Sequence, residues 1–279
     1  MRLRSVLVVS WLALTASCSV SEPPTEFELQ SVEDAVRVAI EAQNERDVDT
    51  FLEYWTDKGL SEYDVGSRAD LQGGRVQNFG TERILIQRFL NTRIVGDNAT
   101  TTVDAVRGMH QNAAPVSRVA FGLVEREGTW LIDGFRFIGG APAPEGTDVI
   151  DVDGREYSFR LEKDEVERRV AFKFRNMGKE PHEITLIKGP DDVTLDRAKE
   201  DLKDFDGDVE KLPEGYQADH VAFAEPGASI DTTFSRPLPA GAYVLACYIP
   251  QGGFNDEGEP DPGAKSHFEL GMAAILGVG

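Results

Sequence analysis

The sequence predicts an α+β unit followed by an all-β sandwich, and three observations predict it. Apolar residues recur at three-and-four spacing only near the start of the chain, and period-two alternation takes over from Ile84 onward. A break of small residues and prolines then separates two runs of strands. The 279 residues accommodate two domains at about 100 to 200 residues each. With 41% hydrophobic and 28% charged residues, the composition is that of a folded protein rather than a disordered or fibrous one.

Residues 1–17 carry Arg2 and Arg4, an apolar run from Val6 to Ala16 and small residues ahead of Cys18, which is the layout of a secretory signal. The run is too short to span a bilayer, which takes about 20 residues. The stretch from Leu14 to Cys18 resembles the bacterial lipobox, with Thr15 standing where Leu is usual. That resemblance implies acylation of Cys18, a polar tether over residues 18–26, a location outside the cytoplasm, and membrane attachment through the lipid alone. An ordinary cleaved signal peptide is the alternative. Lipidation would leave Cys247 as the lone thiol, which in an oxidising compartment is expected to be buried or bound to something. Lys and Arg number 29 against 49 Asp and Glu, a formal charge of -20. Nucleic acid and anionic lipid surfaces are therefore disfavoured partners, and a cation or a basic protein is favoured.

In residues 27–140, Ser31 to Asp34 reads as a capping box, followed by Val32, Ala35, Val36, Ala39 and Ile40 on one helical face. Asn44 to Asp49 breaks that helix, Phe51, Leu52 and Trp55 begin a second, and 61–80 is polar and irregular. Strands are predicted over 84–95, 99–106, 116–126 and 129–137, with Gly96-Asp97 and Glu127-Gly128 as hairpin turns. Asp57, Asp64, His110 and Asp133 are the candidates for acid–base work. Each has a plainer role as a helix-end, loop, locally bonded or surface residue. No spaced carboxylate pair or Asp/His dyad is visible, so binding is expected here over catalysis.

This order of elements, with residues 42–57 (AQNERDVDTFLEYWTD) and 122–135 (GLVEREGTWLIDGF), resembles the NTF2-like (SnoaL-like) family. The resemblance implies an α+β cone that holds a small ligand or a partner, and a homodimer formed through it. An isomerase or hydrolase in the cone would need an apolar pocket containing a carboxylate of raised pKa.

Residues 141–147, with Pro142 and Pro144, form the linker, and 148–279 form the second unit. Strands are predicted over 149–152, 156–161, 166–175, 183–187, 229–234 and 242–247, with a helical excursion at 195–205. Three places are chemically specific. His182 shares strand parity with Ile184 and Leu186, so its ring is expected to face inward. Cys247 ends the strand that begins at Gly241, and His267-x4-Met272 precedes an apolar C-terminal segment.

Two imidazoles, a thiolate and a thioether are the donors of a blue-copper centre. Soft sulfur favours Cu(I), imidazole accepts both oxidation states, and a compromise geometry reduces rearrangement on electron transfer. Zinc accepts Cys and His as well. Taken singly, each residue has a plainer reading: His182 as a bonded core histidine, Cys247 as a buried thiol, Met272 as core packing. His220 is left as a surface residue.

Asn176-x-Gly178-x3-His182, Pro226-Gly227, Gly241-x-Tyr243-x3-Cys247 and the His267–Met272 ending together resemble the cupredoxin family over nearly the whole second unit. The resemblance implies a Greek-key β-sandwich and one copper ion held by His182, Cys247, His267 and Met272. The departure is the segment 248–266, where the family has only a few residues between Cys and His. Either the segment loops out and leaves the donors converged, or the site is lost and the sandwich is a metal-free envelope binding or assembly module. Convergence demands that Sγ and the two ring nitrogens lie within about 4 Å of one another, given bonds near 2.0 to 2.3 Å to one ion. The expected activity is one-electron transfer or copper handling with a basic redox partner.

Overall fold

Thr25 opens the first helix, α1 (Glu26–Glu45), in a computed structural model that describes residues 23–279 apart from 78, 82, 108–113, 206–210 and 255–259. Cys18 and His110 lie outside the described residues. Thr25 Oγ1 accepts the Glu28 N–H at 3.2 Å, and the Glu28 carboxylate accepts the Thr25 N–H at 2.7 Å, so the capping box sits before Ser31. Ser31 instead donates to the Glu28 carbonyl inside the helix. Val32, Ala35, Val36, Ala39 and Ile40 are buried, as their spacing predicts.

The predicted second helix is present as α2 (Val48–Glu53), while the stretch predicted as irregular contains order: α3 (Asp57–Tyr63) runs into it and α4 (Arg68–Gln72) lies within it. These helices begin at side-chain caps, respectively Asp47, Thr56 and Ser67. Helices of five to seven residues are too short to show a period. They pack on an antiparallel set of β1 (Ile84–Phe89), β2 (Arg93–Val95), β3 (Asn98–Arg107), β4 (Pro115–Arg126) and β5 (Thr129–Gly140). The strand predicted over 84–95 is two strands, because Phe89 pairs with Val103 and Arg93 with Thr100, so one extra residue shifts the register between them. Glu127 and Gly128 both have positive φ, 54° and 81°, in a two-residue turn whose twist suits the hairpin.

The second half contains β6 (Asp148–Arg155), β7 (Ser158–Leu161), β8 (Glu165–Val166), β9 (Val170–Asn176), β10 (His182–Lys188), α5 (Leu195–Asp201), β11 (Gln217–Ala224), β12 (Ser229–Phe234), β13 (Gly241–Ala246) and β14 (Ala273–Val278). Strands β11 and β14 were not among those predicted. One sheet runs β11-β10-β13-β14-β8, and facing it lie β12-β9-β6-β7. Ile150, Phe172 and Phe174 from one layer meet Ile184, Leu186, Leu245 and Leu276 from the other. Helix α5 covers the outer face of the five-stranded sheet through Ala198 and Leu202.

The two halves share main-chain pairing. Strand β12 pairs with β9 and also with β4 through Thr233↔Val116 and Phe234↔Pro115, so a nine-stranded sheet continues across the segment between Gly140 and Asp148. A Cβ on Gly140 would lie 1.6 Å from the Asp231 carbonyl oxygen, an approach only glycine allows. No helix among the described residues is long and apolar enough to cross a membrane.

One carboxylate within this sheet escaped the sequence reading. Asp104 is 1% exposed and accepts from Arg118 Nε at 2.7 Å, Arg118 Nη2 at 3.0 Å and Arg88 Nε at 2.8 Å. Burial pushes its carboxyl up, but the hydrogen bonds from Arg118 and then Arg88 outweigh burial and hold it below the usual range. Asp104→Asn is expected to lower the unfolding free energy at pH 7 by about 2 kcal/mol. A depressed folded pKa contributes stability in full above the unfolded value near 3.9, and the contribution fades as pH falls through the folded value. Urea titrations from about pH 7 down to about pH 2.5 should therefore show the wild type losing its advantage on acidification; an advantage independent of pH contradicts the assignment.

Candidate metal centre

Asn176 organises the loop that delivers the first histidine. Its Nδ2 donates to the carbonyls of Glu180 and Ala224, each at 2.8 Å, and its Oδ1 accepts the Gly178 N–H at 2.9 Å. The chain is thereby folded back so that His182 starts β10 with its ring inward, 0% exposed. A Cβ on Gly178 would lie 2.7 Å from His182 Nε2, so the glycine of the Asn-x-Gly pattern is what lets the loop cross the ring.

Cys247 follows β13 and is 0% exposed; its Sγ accepts the Glu183 N–H at 3.4 Å. The chain then leaves and returns as a pinched excursion. Pro250 bridges Ser266 and Phe254 bridges Pro260, while Gln251 donates to the Lys265 carbonyl at 2.8 Å. The return is locked by His267 N–H to Ile249 O at 2.9 Å, Phe268 N–H to Cys247 O at 2.7 Å and Met272 N–H to His267 O at 2.8 Å. With 249–254 paired against 260–267, the length of the intervening segment does not separate Cys247 from His267, which end as neighbours.

The donors converge. His182 Nδ1 and His267 Nδ1 are 3.1 Å apart and Cys247 Sγ is 3.4 Å from His267 Nδ1, both inside the roughly 4 Å that convergence demands, while the trio as a whole lies within the wider bound of 4.8 Å. Two nitrogens bonded at about 2.0 Å to one ion in a trigonal plane would stand about 3.5 Å apart, and nitrogen and sulfur slightly farther. The residues present fit a small soft cation. Met272 is 0% exposed in an apolar cluster with Cys247 and Ile249. Gly154 makes room for the Phe174 ring beside it, since a Cβ there would sit 2.9 Å from Phe174 Cε2 and 3.3 Å from Met272 Cε.

Burial disfavours the charged forms of His182 and Cys247. Burial, followed by the neighbouring His267, lowers His182 to about 4. Burial likewise pushes the Cys247 thiol up to about 12. His182 Nε2 is buried without a hydrogen-bond partner among the described residues. His267 Nε2 lies 2.9 Å from Glu180 Oε2, and the Tyr157 ring stands 5.3 Å from the imidazole. Neither residue was singled out in the sequence. The available signal was an acid within the Asn176–His182 loop, two positions before the histidine.

The remaining candidates lie elsewhere. Asp57 starts α3, 84% exposed, and pairs with Arg68 at 3.0 Å. Asp133 accepts from Thr56 Oγ1 at 2.7 Å and Lys58 Nζ at 2.9 Å. Burial pushes the Asp133 carboxyl up, but hydrogen bonds from Thr56 and Lys58 hold it below its usual range, the opposite of a raised-pKa base. These contacts make Asp133 a pin between β5 and α3. Asp64, in the left-handed region at φ 60°, lines a cavity of about 310 Å3 with Ile40, Tyr63, Ile86, Phe121 and Phe135. Asp57 and Asp133 do not line it. His220 is on the surface, its side chain 57% exposed and 3.3 Å from Glu183.

No family model and no curated protein matches the chain. Solved structures similar to part of it include an NTF2-like protein from Cytophaga hutchinsonii, 14% identical, covering 39% of this chain and 94% of that one at a TM-score of 0.30. Auracyanin B is 22% identical over 50% of this chain and 96% of its own, with a TM-score of 0.29. Dithionite-reduced auracyanin from the photosynthetic bacterium Roseiflexus castenholzii is 21% identical over 50% and 99%, with a TM-score of 0.28. At scores this low the likenesses carry no argument about the site, which stands on its own geometry.

The burial of Cys247 gives a direct expectation. In a mature chain bearing Cys18→Ser, the native metal-free protein should leave a disulfide thiol reagent unreacted near pH 8, and denaturant should release one equivalent of thiol. Rapid reaction of the folded protein would show that the sulfur is accessible.

Proposed function

We propose that the second half of the chain carries a copper centre that Cys247, His182 and His267 would hold, with Met272 as a further weak thioether donor, serving one-electron transfer or copper handling outside the cytoplasm. The observation that supports it is the convergence of one buried thiol and two buried Nδ1 atoms with separations of 3.1 and 3.4 Å. Copper bound there would supply a one-electron Cu(II)/Cu(I) couple. Cys247 would bind as the thiolate, its proton released to solvent, since thiolate is the metal-binding form of cysteine. His182 and His267 would supply two ring nitrogens, and the packed apolar side chains around Met272 would exclude water.

Lipidation at Cys18 would tether the protein to the membrane, and the excess of acidic residues, a formal charge of -20, would steer a basic redox partner with a salt-sensitive on-rate. The α+β half, an NTF2-like cone in this reading, would bind a small ligand in the Asp64 cavity or a second copy of the chain. A metal-free envelope module is the second reading, and it is favoured by the burial that holds His182 as a neutral ring and Cys247 as a thiol.

Cu(II) added to the mature protein should give an intense visible thiolate-to-copper band at one equivalent, and Cys247→Ala should abolish it. Colourless protein retaining no metal would leave the module reading; one tightly held zinc without colour would replace copper by zinc.

A further inference from the structure

The outer face of His267 is built, not open. Glu180 Oε2 accepts the Gly252 N–H at 2.8 Å and lies 2.9 Å from His267 Nε2, while Tyr157 Oη donates to Glu180 Oε1 at 3.4 Å. Gln251 Nε2 donates in turn to Tyr157 Oη at 2.9 Å. Tyr157 holds this place from the left-handed region, φ 62°, a conformation that bulky residues rarely adopt. Gln251 and Gly252 belong to the excursion between Cys247 and His267, so that segment contributes two of the contacts.

Two of the groups around the Glu180 carboxylate are obligate donors or act as donors: the Gly252 amide and the Tyr157 hydroxyl. An ionised carboxylate can only accept. His267 Nε2 at 2.9 Å must therefore carry the proton. In the neutral ring that leaves the lone pair on Nδ1, the atom 3.4 Å from Cys247 Sγ and 3.1 Å from His182 Nδ1. We infer that Glu180 is the positioning residue of the metal centre: with Tyr157 and the Gly252 amide it fixes the tautomer and orientation of His267, turns its Nδ1 toward the metal position and closes its outer edge. The inference rests on the reading of the site as a metal centre, but the tautomer can be observed without metal.

Carboxylates that hold a ligating histidine in this way contribute about 10- to 100-fold to metal affinity. Glu180→Ala is expected to weaken Cu(II) binding by that factor. A tenfold loss borne by Cu(II) alone raises the midpoint potential by about 59 mV. Glu180→Gln keeps an acceptor oxygen for both His267 and Gly252, and should retain the tautomer while losing part of the affinity. The test uses the mature wild-type chain and both variants with 15N-labelled histidine. Long-range proton–nitrogen correlation on the metal-free proteins reads the His267 tautomer, and amide spectra verify folding. Copper titration and potentiometry follow.

A proton on Nε2 in wild type and Glu180→Gln, with the preference lost in Glu180→Ala, supports the inference. A wild-type proton on Nδ1, or a Glu180→Ala protein with unchanged tautomer, overturns it. Should Glu180→Ala fail to fold, wild type and Glu180→Gln decide: a shared Nε2–H tautomer with weaker copper binding supports the inference, and unchanged affinity and potential overturn it. Wild-type protein that takes up no copper overturns the copper reading, while the tautomer in that same sample still decides the role of Glu180.

Discussion

The main-chain closure between Cys247, His267 and Met272 is the constraint on which the centre depends. Three hydrogen bonds, Phe268 to Cys247 at 2.7 Å, Met272 to His267 at 2.8 Å and Cys247 to Met272 at 3.3 Å, make the departing and returning strands neighbours however long the chain between them. Loop-closure entropy grows only slowly with length, so an excursion of this size is tolerated once its stem is paired. With the stem fixed, Cys247 Sγ and His267 Nδ1 are set close by the backbone, and β10 needs to add only His182.

That second delivery depends on the other layer. Asn176 ends β9 in one sheet, and His182 begins β10 in the other. The turn joining the layers is fixed by Asn176 bonding both Glu180 and Ala224. Strand β9 in turn pairs with β12, which also pairs with β4 of the first half. The helical half and the sandwich are thus joined by backbone bonds as well as by the intervening segment, and the near contact of Gly140 with Asp231 lies at that seam. Disturbance at the seam has a continuous hydrogen-bonded route, through β12 and β9, to the loop that positions His182.

What the sequence disclosed follows from what each signal encodes. Strand alternation placed His182 inward because Ile184 and Leu186 share its parity, and both are buried. The caps of α3 and α4 were legible only afterwards, since a lone Thr or Ser before a few residues resembles any loop. Strand β14 was passed over because its segment is apolar without strict alternation, as a strand packed on both faces is. The chain-crossing pair of β4 and β12 leaves no local trace at all. Asp104 and Glu180 went unnoticed for a shared reason: a carboxylate becomes informative only when its donors are known, and those donors come from other strands or loops.

The charge of the molecule and the chemistry of the site act at different ranges. A formal charge of -20 raises the concentration of any cation near the surface but cannot discriminate among cations. Discrimination belongs to an interior that offers sulfur and imidazole and no carboxylate among the three converging donors. Hard ions that need several oxygens find none within that cluster. Because Cys247 is held as a thiol and His182 as a neutral ring by burial, a cation must be soft enough to compete with a proton for the sulfur and small enough for the 3.1 to 3.4 Å separations. Glu180 adds its negative charge one ring away, on the far nitrogen of His267, where it can increase the basicity of Nδ1 without becoming a ligand. In the proposed centre, acid outside and soft donors within is the order of shells that would favour a transition metal over the calcium or magnesium that the exterior would otherwise attract.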